Sequence, residues 1–356
     1  MSHYAMFRLP YATVAYRVEQ RAGEPLRLLS ASDLNGVRGF VVAPFVVSPS
    51  TPIVVIEGEA EVVVPNDQPT AVCGEEHADR NAYAHDFAVF HGAVAQGRFG
   101  KIVLSRCSEV TMPVQPSPEG LFAEACRRYP RMMITLVSSD VCGTWLMATP
   151  ETLLRREGSL WRTMALAGTM RHVDGEQSEP WSAKNIAEQK MVSDYVVRTL
   201  SRFAGRVEVG EPYTVRAGNL LHLRSDFSFS MAEDGTYGIG DIVDALHPTP
   251  AVCGLPKDEA RTFILDNESA DRSYYSGYAG PWGIKDLYAL YVSLRCMEIR
   301  EGRCLMHAGG GLLTDSVEEK EWEETVAKME AMRTLVVKRS IYEGAEPCKQ
   351  HMDYVL

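Results

Sequence analysis

Residues 303–337 read RCLMHAGGGLLTDSVEEKEWEETVAKMEAMRTLVV, and the rest of the chain is read outward from them. Arg303 to His307 is a short apolar run of strand character. Gly309, Gly310 and Gly311 stand between that strand and a helix predicted from Glu318 to Val337. Three successive residues without Cβ atoms let backbone N–H groups approach a ligand closely. The predicted helix has two faces. Trp322, Val326, Met329 and Val336 recur at helical spacing and are expected in a core. Glu321, Glu324 and Lys328 lie on another side, with Met332 and Leu335 in line behind them. A charged stripe that runs on into apolar residues points to a partly buried acid–base face. Taken alone, it also reads as an exposed helix in which a Glu324–Lys328 pair at i, i+4 adds about 0.2–0.5 kcal/mol.

Composition narrows the field. The chain has 356 residues, 46% hydrophobic and 23% charged, enough to bury a sizeable core. The net charge of −11 disfavours a nucleic-acid or acidic-membrane partner. An anionic ligand would then need a locally basic site or a metal bridge. No basic segment leads into an apolar run at the N-terminus, so no signal peptide is expected. No stretch approaches the roughly 18 apolar residues of a membrane span. Eight cysteines (73, 107, 126, 142, 253, 296, 304 and 348) include no C-x-x-C pair. That pattern suggests reduced thiols in a cytoplasm rather than a disulfide frame or a zinc site.

Short β-rich runs at 40–47 and 51–56 dominate the start of the chain. Residues 61–80 are polar and read as a surface loop. A helix is predicted over 82–96, with Tyr83, Phe87, Phe90 and Val94 inward. Gly97 ends it, and a strand opens at Lys101. Lys101 is either a lysine capping an edge strand or one desolvated at the mouth of a pocket. A helix over 118–129 and strands over 132–137 and 143–148 follow. Glu151, just after Pro150, could begin a helix. The strand over 160–166 ends in Gly168 and Thr169, suited to offering an N–H and a hydroxyl to a carboxylate. A long helix is predicted over 179–204, in which Glu188 shares a face with Val192 and Tyr195. A carboxylate on an apolar stripe is costly unless paired, bound to a metal or reaching to water. His222 sits between leucines in a strand over 219–225, as many satisfied core histidines do. Helices over 241–246 and 256–265 flank a proline-rich loop. Residues 271–282 have the aromatic and glycine content of a binding loop. A strand over 287–300 carries Arg295, and 338–356 reads as a peripheral tail. Alternating paired strands and long helices predict an α+β protein with antiparallel sheets. The glycine triplet matches neither a dinucleotide fingerprint nor a P-loop.

Lys101, Glu151, Glu188, Arg295, Glu321, Glu324 and Lys328 form a chemical set. One lysine and one glutamate can act as base and acid across a substrate. Two or three further glutamates can hold Mg²⁺, which takes carboxylates and water. Arg295 and Lys328 can hold a second carboxylate, the arginine by a bidentate fork. The implied substrate is small and dianionic.

The chain resembles the chorismate-utilising enzymes, most closely the isochorismate synthase branch. The resemblance is carried by Lys101 to Arg106, Pro150-Glu151, Gly168-Thr169, His247-Pro248-Thr249-Pro250-Ala251, Asp271-Arg272 with Tyr275, Arg295, Ala308 to Gly311, and Glu321 to Lys328. It covers residues 85–335. The first 80 residues carry little of it. It implies a single chorismate-binding domain over 1–356: large antiparallel sheets packed as a sandwich with helices outside. By resemblance, Glu188 and Glu324 are metal ligands, with Glu321 a supporting acid. Gly168, Thr169 and Gly311 surround the ring carboxylate, and His222 lines the ring pocket. Tyr275, Arg295 and Lys328 hold the pyruvyl carboxylate. Lys101 activates water for attack at ring C2, and Glu151 protonates the leaving 4-hydroxyl. A lysine at position 101 favours water over the ammonia used by anthranilate synthases. Two departures from the family pattern are Gln189, where histidine is usual, and Asn185, where an acid is common; both bear on a metal's outer shell.

This chemistry needs a lysine neutral at working pH, against an ordinary value of about 10.4. It also needs a protonated glutamate, against about 4.3. Opposite shifts on facing groups let one site run both halves of a substitution. The resemblance leaves salicylate synthase (isochorismate formation followed by pyruvate elimination) and a non-catalytic chorismate-binding relative as alternatives. It leaves menaquinone and siderophore pathways both open. The enzyme is expected to act as a monomer with chorismate as its small-molecule partner.

Overall fold

The computed structural model describes residues 2–65, 74–114, 116–172, 180–217, 220–232 and 235–337. The predicted tail at 338–356, the core of the polar segment at 66–73, Glu179 and Asn219 lie outside the described residues, as do Cys73 and Cys348. The six described cysteines are free thiols.

Among the described residues, two ten-stranded sheets carry the fold. The first runs, in spatial order, Gly254–Leu255, Lys101–Thr111, Arg303–Leu312, Cys296–Arg300, Gly143–Thr149, Met133–Ser139, His3–Arg8, Ala15–Gln20 and Ala60–Val63, with Glu75–His77 also on Lys101–Thr111. The second runs Ala204–Val209, Leu220–Met231, Leu160–Arg171, Thr152–Glu157, Leu287–Val292, Tyr278–Ile284, Gly39–Ala43, Ile53–Ile56 and Leu26–Leu28, with Tyr213–Ala217 also on Leu220–Met231. The ladders are antiparallel. Phe7, Val137, Trp145 and Met147 of the first sheet meet Phe40, Val42, Ala279 and Tyr291 of the second in a buried layer between them. Each of the phenylalanine, valine and methionine side chains contributes about 1.5–3 kcal/mol on burial.

Among the described residues, six α-helices cover the outside. Helices α1 (Arg80–Ala95) and α5 (Lys257–Asn267) pack over the start of strand Lys101–Thr111. Helices α2 (Pro118–Arg128) and α6 (Glu318–Val336) cover the outer face of the first sheet. Helices α3 (Ala183–Leu200) and α4 (Ile239–Leu246) cover that of the second. Local chemistry sets their ends. Asp79, Ser117 and Ser182 each accept a hydrogen bond from an N–H of the first turn, which satisfies a donor the helix leaves open. Gly97, at φ +76°, turns the chain out of α1 towards Lys101.

Three sequence expectations are corrected. The glycine triplet is not a loop: it lies within strand Arg303–Leu312, with Gly309, Gly310 and Gly311 paired to Ser105, Leu104 and Val103. The helix predicted over 179–204 stops at Leu200, and Ala204 begins an edge strand. The strand predicted over 287–300 is two strands in different sheets. Both halves are apolar, so hydrophobic pattern alone hides the change of sheet. Arg295 sits in the link, at φ 46°. In addition, Ala60–Val63 and Glu75–His77 are strands at the two ends of the segment read as a loop.

The chain also changes sheet at 150–151, between Gly143–Thr149 and Thr152–Glu157. The two crossings lie side by side. The N–H of Ala148 donates to Arg295 O at 3.1 Å and the N–H of Val292 to Glu151 O at 2.9 Å. Both links leave their ladders together, so Glu151 and Arg295 are carried to one seam between the sheets. Glu151 begins no helix.

Candidate active site

A cavity opens at this seam, between α3 and α6. Of the twelve residues singled out from the sequence, Glu151, Gly168, Thr169, Glu188, His222, Tyr275, Arg295, Gly311 and Lys328 line it. Lys101, Glu321 and Glu324 stand behind the lining.

Lys101 is fully buried. Its Nζ lies 2.8 Å from Glu188 Oε1, although no acceptor among the described residues is aligned with its N–H groups. Gly311 makes this contact possible. A Cβ there would stand 2.5 Å from Lys101 Cε and 2.6 Å from Glu188 Oε1. The glycine is needed for side-chain crowding rather than for an exposed N–H.

Glu151 is 3% exposed. Burial pushes its carboxyl up to about 7, against the opposing pull of Lys101, Lys328 and Arg295. Glu188 follows the other regime. Burial would raise it, but the ammonium of Lys101, with Lys328 and Lys184 adding to it, holds it below the usual carboxylate range. Two carboxyls on one cavity thus differ in protonation near neutral pH.

Arg295 is buried and lowered to about 10 by desolvation. One of its amino groups donates to Ala217 O at 3.0 Å and the other to His222 Nε2 at 2.6 Å. His222 Nδ1 lies 2.9 Å from Gly168 O. A ring that accepts from an arginine at Nε2 must donate from Nδ1, which fixes the neutral tautomer. Burial and the nearby Arg295 charge hold His222 well below its ordinary value, in agreement. Gly168 supports this chain of bonds at a β-bulge, at φ +74°. A Cβ there would meet Asn185 at 3.1 Å.

Lys328 donates to Gly309 O at 2.8 Å and pairs with Glu324 at 2.7 Å. The buried Glu321 pairs with Lys184 at 2.6 Å. The charged stripe of α6 is therefore the inward face, with Met332 and Leu335 buried in line. Trp322 and Val326, expected in the core, are only half-buried. Trp322 lies under the guanidinium of Arg106, 3.8 Å from its ring centre. Tyr275 is buried and stacks on His307 at 5.4 Å.

The sequence reading passed over Lys184. Its spacing, one turn before Glu188 on α3, was the available signal. It also passed over the apolar lining from Leu166 and Leu294, which no chemical pattern marks. The two departures have plain contacts. Gln189 donates to Ser225 Oγ at 2.9 Å, and Asn185 donates to Thr169 O at 3.5 Å.

An all-carboxylate donor set suits Mg²⁺. Glu321 and Glu324 converge: a Cβ on Gly310 would stand 3.1 Å from Glu321 Oε2 and 3.6 Å from Glu324 Oε1. Burial, then repulsion from Glu324, raises the affinity of Glu321 for a proton, so this spot favours a cation. Glu188 is engaged by Lys101 instead. No three His, Cys, Asp or Glu among the described residues are gathered closely enough to bind a metal. By donor chemistry the three glutamates fit a hard cation, but each is neutralised here by its own lysine.

The sequence profile of the chorismate binding enzyme family matches residues 55–334. The chain belongs to this family. The isochorismate synthase DhbC of Bacillus subtilis is 30% identical to this family member over 253 residues, 67% of this chain and 63% of that protein. The salicylate biosynthesis isochorismate synthase of Pseudomonas aeruginosa is 31% identical over 261 residues, 68% of this chain and 52% of that protein. The chain thus spans less than two thirds of the length of these relatives. The solved structure of MenF, the menaquinone-specific isochorismate synthase of Escherichia coli, superposes with a TM-score of 0.78 at 23% identity. That likeness, over 94% of this chain and 88% of the other, is one of fold. It agrees with the sandwich expected from the sequence. None of the helices among the described residues is long and apolar enough to cross a membrane.

Proposed function

We propose that this chain is an isochorismate synthase, converting chorismate reversibly to isochorismate. Lys101, an ammonium while paired with Glu188, must first give up its proton; as the neutral amine it takes a proton from water as the water oxygen attacks ring C2. The ring double bonds shift, and Glu151 gives its proton to the 4-hydroxyl, which leaves as water. One water enters and one departs, so the reaction is an isomerisation. Arg295 and Lys328 would hold the pyruvyl carboxylate with Tyr275, while Gly168, Thr169 and Gly311 surround the ring carboxylate and His222 lines the ring pocket. Glu188, Glu321 and Glu324 would hold Mg²⁺, which when bound neutralises a substrate carboxylate.

The observation that carries this reading is Glu151. A buried carboxyl pushed up to about 7, in a cavity otherwise supplied with cations, is an acid ready to donate near neutral pH. A simple anion-binding pocket has no use for it.

The test is incubation of the purified chain with chorismate and Mg²⁺. Separated products should contain isochorismate, and omission of Mg²⁺ should stop its formation. Fluorescent salicylate with pyruvate as the main products would instead make it a salicylate synthase. Tight chorismate binding without any product would make it a non-catalytic relative.

A further inference from the structure

Strand Lys101–Thr111 carries Lys101 and the cavity-lining Val103, yet one of its edges is incompletely paired. On that side Gly254–Leu255 covers residues 101–102 and Glu75–His77 covers residues 109–111. The N–H of Val103 still reaches Cys253 O, at 2.7 Å. Beyond it, no strand among the described residues covers that edge from Val103 to Ser108. Unpaired backbone groups at a buried edge cost free energy unless something else satisfies them.

A buried ion pair does so. Arg272 and Glu268, with side chains 3% and 1% exposed, meet through two hydrogen bonds of 2.6 and 2.7 Å. Glu268 Oε1 accepts the N–H of Ser105 at 2.6 Å. Arg272 donates to Val103 O at 2.9 Å and, from its other amino group, to Val252 O at 2.7 Å. The backbone O of Arg272 accepts from the N–H of Tyr275 at 2.8 Å. Val103, Val252 and Tyr275 all line the cavity.

We propose that Glu268 and Arg272 are positioning residues for the reaction: the pair stands in for a missing strand and sets the strand of Lys101, the Val252 wall and Tyr275 in mutual register. This rests on the isochorismate synthase reading. Neither residue lines the cavity, so each acts through the backbone it holds. A planar guanidinium can grip a carboxylate and two carbonyls at once, and a lysine ammonium cannot. Small shifts of a reacting group cost up to about 10²-fold in rate.

The experiment measures kcat, KM and the thermal midpoint for wild type, Arg272→Lys and the double variant Arg272→Met/Glu268→Met. Removing both charges together leaves neither one buried alone, and such replacements are often neutral in stability. The expected result is kcat/KM lower by about 10–10²-fold in each folded variant, shared between kcat, through the strand of Lys101, and KM, through Tyr275 and the Val252 wall. The decline of kcat above neutral pH that Glu151 imposes should be retained. A folded double variant with wild-type kcat and KM overturns the proposal. So does failure of both variants to fold, which would make the pair a stability element. Absence of turnover by wild type would sink the synthase reading instead. The same comparison is then read in chorismate affinity by calorimetry, where unchanged affinity in a folded variant overturns the positioning role.

Discussion

Where the chain changes sheet, Glu151 is buried with no lysine or arginine in ion-pair contact among the described residues. On the helical side of the same cavity, Glu188, Glu321 and Glu324 each have a lysine ammonium at 2.6–2.8 Å. The first carboxyl is raised to about 7, while Glu188 is held below its ordinary range. Burial is common to both, so burial does not separate them. Nearby charge does: at Glu188 the Lys101 ammonium, with Lys328 and Lys184 adding to it, outweighs desolvation, whereas the cations around Glu151 do not. Glu321 stays raised despite Lys184, because Glu324 adds repulsion to burial. Glu151 and Glu188 are thus driven to opposite protonation preferences near neutral pH.

The largest effects should come from the two groups at the ends of this contrast. Glu151→Gln keeps the shape but removes the proton, and kcat should fall roughly 10²–10⁴-fold. Lys101→Met should cost as much, with circular dichroism showing the fold retained. Near wild-type turnover in either would erase the division of roles.

Gly311→Ala should come next. The added methyl cannot coexist with the Lys101–Glu188 contact, so turnover should drop about 10–10²-fold while far-UV spectra stay unchanged. An active alanine variant would show that the contact is dispensable.

The pH dependence sharpens the comparison. As the acid, Glu151 must be protonated, so kcat should decline as pH rises through about 7. That limb should vanish in the residual activity of Glu151→Gln. Stability follows the same sign. The folded value is raised from 4.5 to about 7, so the native state holds more protons than the unfolded state across that window. The contribution of this group is fully present below 4.5 and is lost as pH rises through 7, about 3 kcal/mol in all. Denaturant midpoints of wild type and Glu151→Gln between pH 4.5 and 8 would check this, and parallel profiles would refute it.

Lys184→Met should be mildest. It strips Glu321 of its ammonium, but Lys184 is 25% exposed at its side chain, so water partly compensates. A loss of about 1–3 kcal/mol in unfolding free energy is expected, together with a further rise in the proton affinity of Glu321. No change in either would show that the helical wall does not depend on its lysines.

Much of this was legible in the residues. The periodic apolar positions of α1 and the β-rich runs follow from local sterics and pattern. The inward turn of Glu321 and Lys328 was signalled by the apolar continuation at Met332 and Leu335. What misled was equally physical. The run at 287–300 looks like one strand because an apolar pattern carries no information on which sheet it joins. The glycine triplet looks like a loop because glycine is usually placed for its backbone, whereas Gly311 is required by two side chains from elsewhere. The contact of Lys184 is hidden because Glu321 lies far away in sequence, and the role of Glu268 because the strand edge it meets, at Ser105, does too.

From the sequence alone came the residue types, their order and their family: a lysine and glutamates for acid–base work, cations for carboxylates, and strands and helices in α+β proportion. Only the tertiary structure decided which glutamate keeps its proton. That depends on how burial and neighbouring charge balance at each carboxyl, and this follows from two side-by-side crossings between sheets and a helix laid over a glycine-rich strand. Proton affinity is set by distance and burial, and neither is written in the order of residues.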